Sequence, residues 1–167
     1  MAEITLDLIK ELRERSGGGV MDCKRALEAT GGNIDKAVAY LQEQGIASAA
    51  KKANRETSQG LIDSYIHAGR IGALVEVNCE TDFVARTPEF QSLVHELAMH
   101  VAAANPQYIN ADDIPAGTEG KAEELALMDQ PYIRDAGKTI RQLIQETIGK
   151  TGENIQIRRI TRFELGQ

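Results

Sequence analysis

His95 and His100 lie five residues apart on a helical pattern. At 3.6 residues per turn they point about 140° apart. His-Glu-Leu-Ala-Met-His therefore misses the HExxH spacing that sets two metal ligands on one face. No metal site is expected, and both histidines read as solvent-facing or core-edge residues. Gly17-Gly18-Gly19 has the glycine content of a phosphate loop. Such a loop needs a strand before it and Gly-Lys-Ser/Thr at its end, whereas a helical segment precedes this one and Val20-Met21-Asp22 follows. A tight turn between helices is the expected role. Cys23 and Cys79 form no CxxC unit and have no evident base partner, so each reads as a buried structural thiol. No catalytic set and no cofactor site emerges, and an enzyme is not expected.

Composition narrows the class. The 167 residues are 42% hydrophobic and 26% charged, enough to bury a core and keep a soluble surface. The net charge of -6 opposes direct nucleic-acid binding, which needs clustered cations to neutralise phosphates. Basic clusters occur only locally, at Lys51, Lys52 and Arg55 and at Arg158, Arg159 and Arg162. Two distant cysteines suit a reducing cytoplasm. The first residues carry no basic stretch followed by an apolar run, and no window is long and apolar enough to span a bilayer. A cytoplasmic protein without a membrane segment is expected.

Residues 1 to 55 carry helical signals. Thr5 caps a helix with Leu8, Ile9 and Leu12 on one face, ending at Ser16 and the glycine triplet. A second short helix carries Cys23, Ala26 and Leu27 and ends at Thr30-Gly31-Gly32. Asn33 caps a third, with Ile34, Ala37, Val38 and Leu41 at i, i+3, i+4 and i+7 and Gly45 expected to close it. Ile46 to Arg55 reads as a helical linker. Strand patterns follow at Leu61–His67 and Ile71–Cys79 around an Ala68-Gly69-Arg70 turn. Thr87-Pro88-Glu89 opens a helix with face Phe90, Leu93, Val94, Leu97 and Val101, stopped by Asn105-Pro106. A loop over 107–120, a weak helix over 119–128 and a helix bearing Ile140, Leu143, Ile144 and Ile148 are expected next. The chain closes on a strand with Ile155, Ile157, Ile160, Phe163 and Leu165, whose alternation slips at Arg158-Arg159 and predicts a bulge. The fold class is α+β: a three-helix module over 1–55, then an antiparallel sheet core packed with helices over 56–167.

Two segments carry a resemblance, Ser16-Gly-Gly-Gly-Val-Met-Asp-Cys-Lys-Arg-Ala-Leu27 and Val75-Glu-Val-Asn-Cys-Glu-Thr-Asp-Phe-Val-Ala-Arg86. Gln130-Pro131-Tyr132-Ile133 and Gly152-Glu153-Asn154-Ile155 with Arg158-Arg159 support it. In order and over nearly the whole chain, they resemble the signature segments of bacterial translation elongation factor Ts.

The resemblance implies a ubiquitin-associated-like N-terminal module and a guanine-nucleotide exchange factor that binds elongation factor Tu in its GDP-bound and nucleotide-free forms. In that family the Thr-Asp-Phe-Val segment disturbs the partner's magnesium site, which implies that role for Thr81, Asp82, Phe83 and Val84. It implies docking contacts at Val20 and Met21, and a partner contact at His67, although position alone makes His67 a solvated turn residue. Residue patterning alone gives Thr81–Val84 a plainer role, Thr81 capping a short helix with Phe83 and Val84 packed inward. The two are compatible, since a capped turn presents Phe83 rigidly. Longer members carry a second sheet subdomain and a helical hairpin. The single copy here, with an apolar closing strand, implies a homodimer built through the core. A protein-binding adaptor is the alternative, and Thr-Asp-Phe-Val is the feature an adaptor does not need.

Overall fold

The computed structural model describes residues 3–167. Three helices lead: α1 (Leu6–Ser16), α2 (Val20–Ala29) and α3 (Ile34–Lys52). Their caps are local. Thr5 Oγ1 accepts from Leu8 N, Gly17 ends α1 in the left-handed region at φ 65°, and Asn33 accepts from Lys36 N. The bundle buries Ile9, Leu12, Cys23, Ala26, Leu27 and Ala37, with Ile34, Val38 and Leu41 packed beside them. That is the apolar stripe the spacing predicts.

Gly45 does not end α3, which continues through the expected linker to Lys52. Gly45 is buried inside the helix, where a Cβ would lie 3.3 Å from the Gln145 carbonyl oxygen. A Cβ on Gly149 would in turn sit 3.5 Å from Gly45 Cα. The glycine is spent on close approach to α7 (Ile140–Thr151) rather than on a left-handed cap. The first half of α3 thus packs in the bundle, while Ala49 in its second half joins the main core.

The main core lies under a three-stranded antiparallel sheet of order β1-β2-β5, formed by β1 (Gln59–His67), β2 (Ile71–Cys79) and β5 (Ile155–Glu164). Ala73, Val75, Val77 and Cys79 of β2 point inward onto α5 (Pro88–Ala104), whose Phe90, Leu93, Val94, Leu97 and Val101 are all buried. The Thr87 cap and Pro88 at the first helical position start α5 as expected. The ladder pairs Glu76 with Arg159 and Val77 with Ile157, leaving Arg158 as the extra residue of a bulge. The fold is α+β, with helices on one face of the sheet.

Residues between α5 and α7 hold short pieces: a 3-10 turn Ala111–Asp113, α6 (Ala122–Leu125) and a 3-10 turn Leu127–Asp129. A hairpin of β3 (Pro131–Tyr132) and β4 (Asp135–Thr139) then leads into α7, and the sequence patterns do not announce it. His100, expected at the surface or core edge, is completely buried beneath this hairpin. Its Nδ1 accepts from Ile133 N at 3.3 Å and its Nε2 donates to Gln130 Oε1 at 2.9 Å. No described helix is long and apolar enough to cross a membrane.

Candidate functional site

Beyond the last ladder pair, Cys79 with Ile155, the chain leaves the sheet through Glu80 and Thr81 into a single helical turn, α4 (Asp82–Ala85). Four residues are too few for a helix to hold itself, so its ends are fixed from outside. Thr81 adopts an extended conformation, and its hydroxyl accepts from Val84 N at 3.3 Å. At the other end the Thr87 hydroxyl donates to the Val84 carbonyl at 2.7 Å and accepts from Phe90 N. One threonine therefore closes α4 and opens α5.

Successive helical residues turn by about 100°, and α4 uses this to face two ways. Ala85 is buried and Val84 packs against the main core. Phe83 points away from both and is 78% exposed. The capped turn is present as patterning predicts, but only Val84 of the expected pair packs inward. Asp82 pairs with Arg86 at 3.0 Å, the Arg86 side chain largely and the Asp82 side chain half in water. An exposed pair of this kind contributes about 0–1 kcal/mol, so it leaves Asp82 free to change partners.

The other residues of interest lie elsewhere. Val20 and Met21 open α2 and are exposed on the bundle. His67 ends β1 beside the hairpin turn, exposed, with Nδ1 3.1 Å from the Tyr65 hydroxyl. β2 runs from that turn to Cys79, a span of about 26 Å at 3.3 Å per residue. His67 and Phe83 therefore occupy opposite ends of the hairpin. A cleft of about 580 Å³ opens between the Gly17–Gly19 turn, α3 and α7, and Phe83 does not line it. Lys150 covers Gly17 there, where a Cβ would meet its Nζ at 2.6 Å. The feature of interest is thus a protrusion rather than a cavity.

The Cys79 thiol, buried beside α4, donates to the Thr81 carbonyl at 3.2 Å. Burial first, and then the nearby Glu153 carboxylate, push it up to about 11. At neutral pH it stays protonated and supports the turn as a hydrogen-bond donor.

The model of the family described as elongation factor TS matches residues 27–123 of this chain. The whole chain aligns with the elongation factor Ts of Cyanothece sp. (strain PCC 7425) at 47% identity, covering 76% of that relative. The chain belongs to the elongation factor Ts family. Elongation factor Ts of Thermoanaerobacter sp. (strain X514) is 48% identical over 98% of this chain and 96% of its own length. That of Heliobacterium modesticaldum is 45% identical over 98% and 91% respectively. The Cyanothece alignment runs over 199 positions against 167 residues here, so this chain lacks segments that the relative carries.

One further residue of the site, Glu153, stands in the sequence only as part of the matching Gly152–Ile155 segment, with no role attached to it. Glu153, at the α7–β5 turn, hydrogen-bonds directly to Glu80 and Thr81. Continuing the Cys79–Ile155 register by two residues in each direction places them side by side. That pairing is the signal that finds it.

Proposed function

We propose that this chain is a guanine-nucleotide exchange factor that binds GDP-bound elongation factor Tu in the cytoplasm and promotes GDP release. Thr81, Asp82, Phe83 and Val84 enter near the partner's magnesium site, and the nucleotide-free partner is held until GTP binds. One observation carries the reading: Phe83 is 78% exposed on a turn capped at both ends. A rigidly held aromatic ring in water has a large apolar surface to bury and little conformational entropy to lose on binding. Membership of the elongation factor Ts family supports the choice of partner.

Exchange requires that the factor prefer the nucleotide-free partner; by linkage, GDP then weakens the factor's hold equally. Burying one Phe contributes about 1.5–3 kcal/mol, about one to two decades in rate if it is gained only as GDP leaves. Anchoring comes from residues 1–55 through Val20 and Met21, and release and dimerisation from residues 56–167. The chain works without a cofactor of its own and without direct nucleic-acid contact.

One titration separates anchoring from release. Elongation factor Tu loaded with a fluorescent GDP analogue is mixed with increasing amounts of the chain. Phe83→Ala should lower the plateau rate at least about tenfold while the melting temperature holds. Met21→Asp should raise the half-saturating concentration and spare the plateau, since an acid in the first turn of α2 favours the helix. An unchanged plateau for Phe83→Ala overturns the wedge; an unchanged half-saturation for Met21→Asp overturns the anchor.

A further inference from the structure

Leaving the sheet strips Glu80 and Thr81 of ladder partners, and their N–H groups need acceptors. Glu153 supplies both: its Oε2 accepts from Glu80 N at 3.0 Å and from Thr81 N at 2.9 Å. Its Oε1 accepts from the Thr81 hydroxyl at 2.5 Å. A hydroxyl has one donor and two acceptor positions. With the donor held by Glu153 and an acceptor position by Val84 N, the rotamer of Thr81 is fixed from two sides.

The arrangement is reciprocal. Glu80 Oε1 accepts from Asn154 N at 2.7 Å and lies 3.5 Å from the Arg55 guanidinium. The buried Asn154 amide donates to the carbonyls of Ala53 and Arg55 at 3.3 and 2.9 Å. Three chain segments meet here: the residues after α3, the entry to α4 and the exit from α7. Bonds to an ionised carboxylate are about twice as strong as neutral ones, and here three of them serve a helix of one turn.

We propose that Glu153 is a positioning residue for nucleotide release: by fixing Thr81 it sets the angle at which α4 presents Phe83. Through Glu80, Asn154 and Arg55 the same cluster ties that angle to α3, the helix that carries the N-terminal bundle. This rests on the reading of Phe83 as the wedge. Glu153 itself need not touch the partner; its effect passes through Phe83.

The test uses the full chain with Glu153→Ala, Glu153→Gln, Phe83→Ala and the double variant Glu153→Ala/Phe83→Ala. Hydrogen exchange at the Glu80 and Thr81 amides should quicken in Glu153→Ala while protection in α5 and β2 is kept. In the fluorescent-GDP titration its plateau should fall about tenfold with the half-saturating concentration unchanged. Glu153→Gln should fall between, because its carbonyl oxygen still accepts the two N–H groups while its amide can only donate to the Thr81 hydroxyl and carries no charge. If Glu153→Ala does not fold, Glu153→Gln carries the test alone and in the Phe83→Ala background. The double variant should be no slower than Phe83→Ala. Losses that multiply in the double variant overturn the proposal, as does a parental plateau in the Glu153 variants while Phe83→Ala is slow. A parental plateau in Phe83→Ala itself brings down the wedge reading instead.

Discussion

A single side chain can have its protonation state read from its partners, and His100 is such a case. Ile133 N can only donate, so Nδ1 must accept, and the ring proton sits on Nε2 facing Gln130 Oε1. Gln130 in turn donates to the Glu124 carbonyl at 2.8 Å, completing a buried network that pins the β3–β4 hairpin to α5. Protonation would set a second N–H against Ile133 N–H. Burial lowers the pKa of His100 below its usual 6.5, and the Gln130 bond offsets this only in part. The neighbouring Tyr132 hydroxyl donates to Glu96, which also pairs with Arg134 at 3.1 Å, so that carboxylate is already engaged. A depressed histidine contributes stability that is fully present above its unfolded pKa and is lost as pH falls towards the folded value. The unfolding free energy of the parent chain, from urea titrations, should therefore decline below about pH 6.5, by at most about 1.4 kcal/mol per pH unit from this group. His100→Gln should be less stable at pH 7.5 and flatter between pH 7.5 and 5.5. Equal slopes in the two proteins would show that His100 is not the titrating group.

At the scale of elements, the close approach of α3 and α7 is the feature most open to a single change. Gly45→Val adds a branched side chain where even a Cβ meets the Gln145 carbonyl at 3.3 Å. Overpacking of this kind costs about 1–3 kcal/mol, and Val also has poor helix propensity. The melting temperature should fall by several degrees; an unchanged value would mean that the two helices are not held as close as described. The same glycine shows what a sequence conceals. A Gly after an apolar stripe reads equally as a helix end or as a contact between helices, and only the position of α7 decides. The caps at Thr5, Asn33 and Thr87, the stripe on α5 and the bulge at Arg158 were legible because each is written in a few consecutive residues. The β3–β4 hairpin was not, because its strands have two and five residues without alternation and are held by His100 and Glu96 more than thirty residues earlier. At the site, Thr81 as a cap was legible for the same local reason, while Glu153, more than seventy residues on, was visible only through strand register.

Over the whole molecule the unresolved surface is the outer side of the sheet. Helices cover the inner side, while Ile62 and Ile66 of β1, Leu74 of β2 and Phe163 of β5 face outward and are all exposed. Ile66, Gly72 and Phe163 stand in one cross-strand row, and the absent Cβ at Gly72 leaves room for the Ile66 side chain. β1 and β5 are both edges, so backbone donors and acceptors are open along each side as well. We propose that a second copy covers this face about a two-fold axis, the commonest closed arrangement for a soluble chain. Three strands 4.8 Å apart and about 30 Å long offer about 430 Å² of projected area per subunit. A standard interface buries about 800 Å² on each side. The sheet face alone is therefore small, and a reversible dimer that forms with rising concentration is the expected result rather than an obligate one. Light scattering should find the 18.2 kDa chain at nanomolar concentration and twice that mass at tens of micromolar. Phe163→Lys, at a side chain 74% exposed in the single chain, should hold the protein monomeric without lowering its melting temperature at low concentration. A parent chain that stays at 18.2 kDa at tens of micromolar overturns the dimer. A monomeric Phe163→Lys that still releases GDP at the parental rate would leave the dimer outside the exchange reaction.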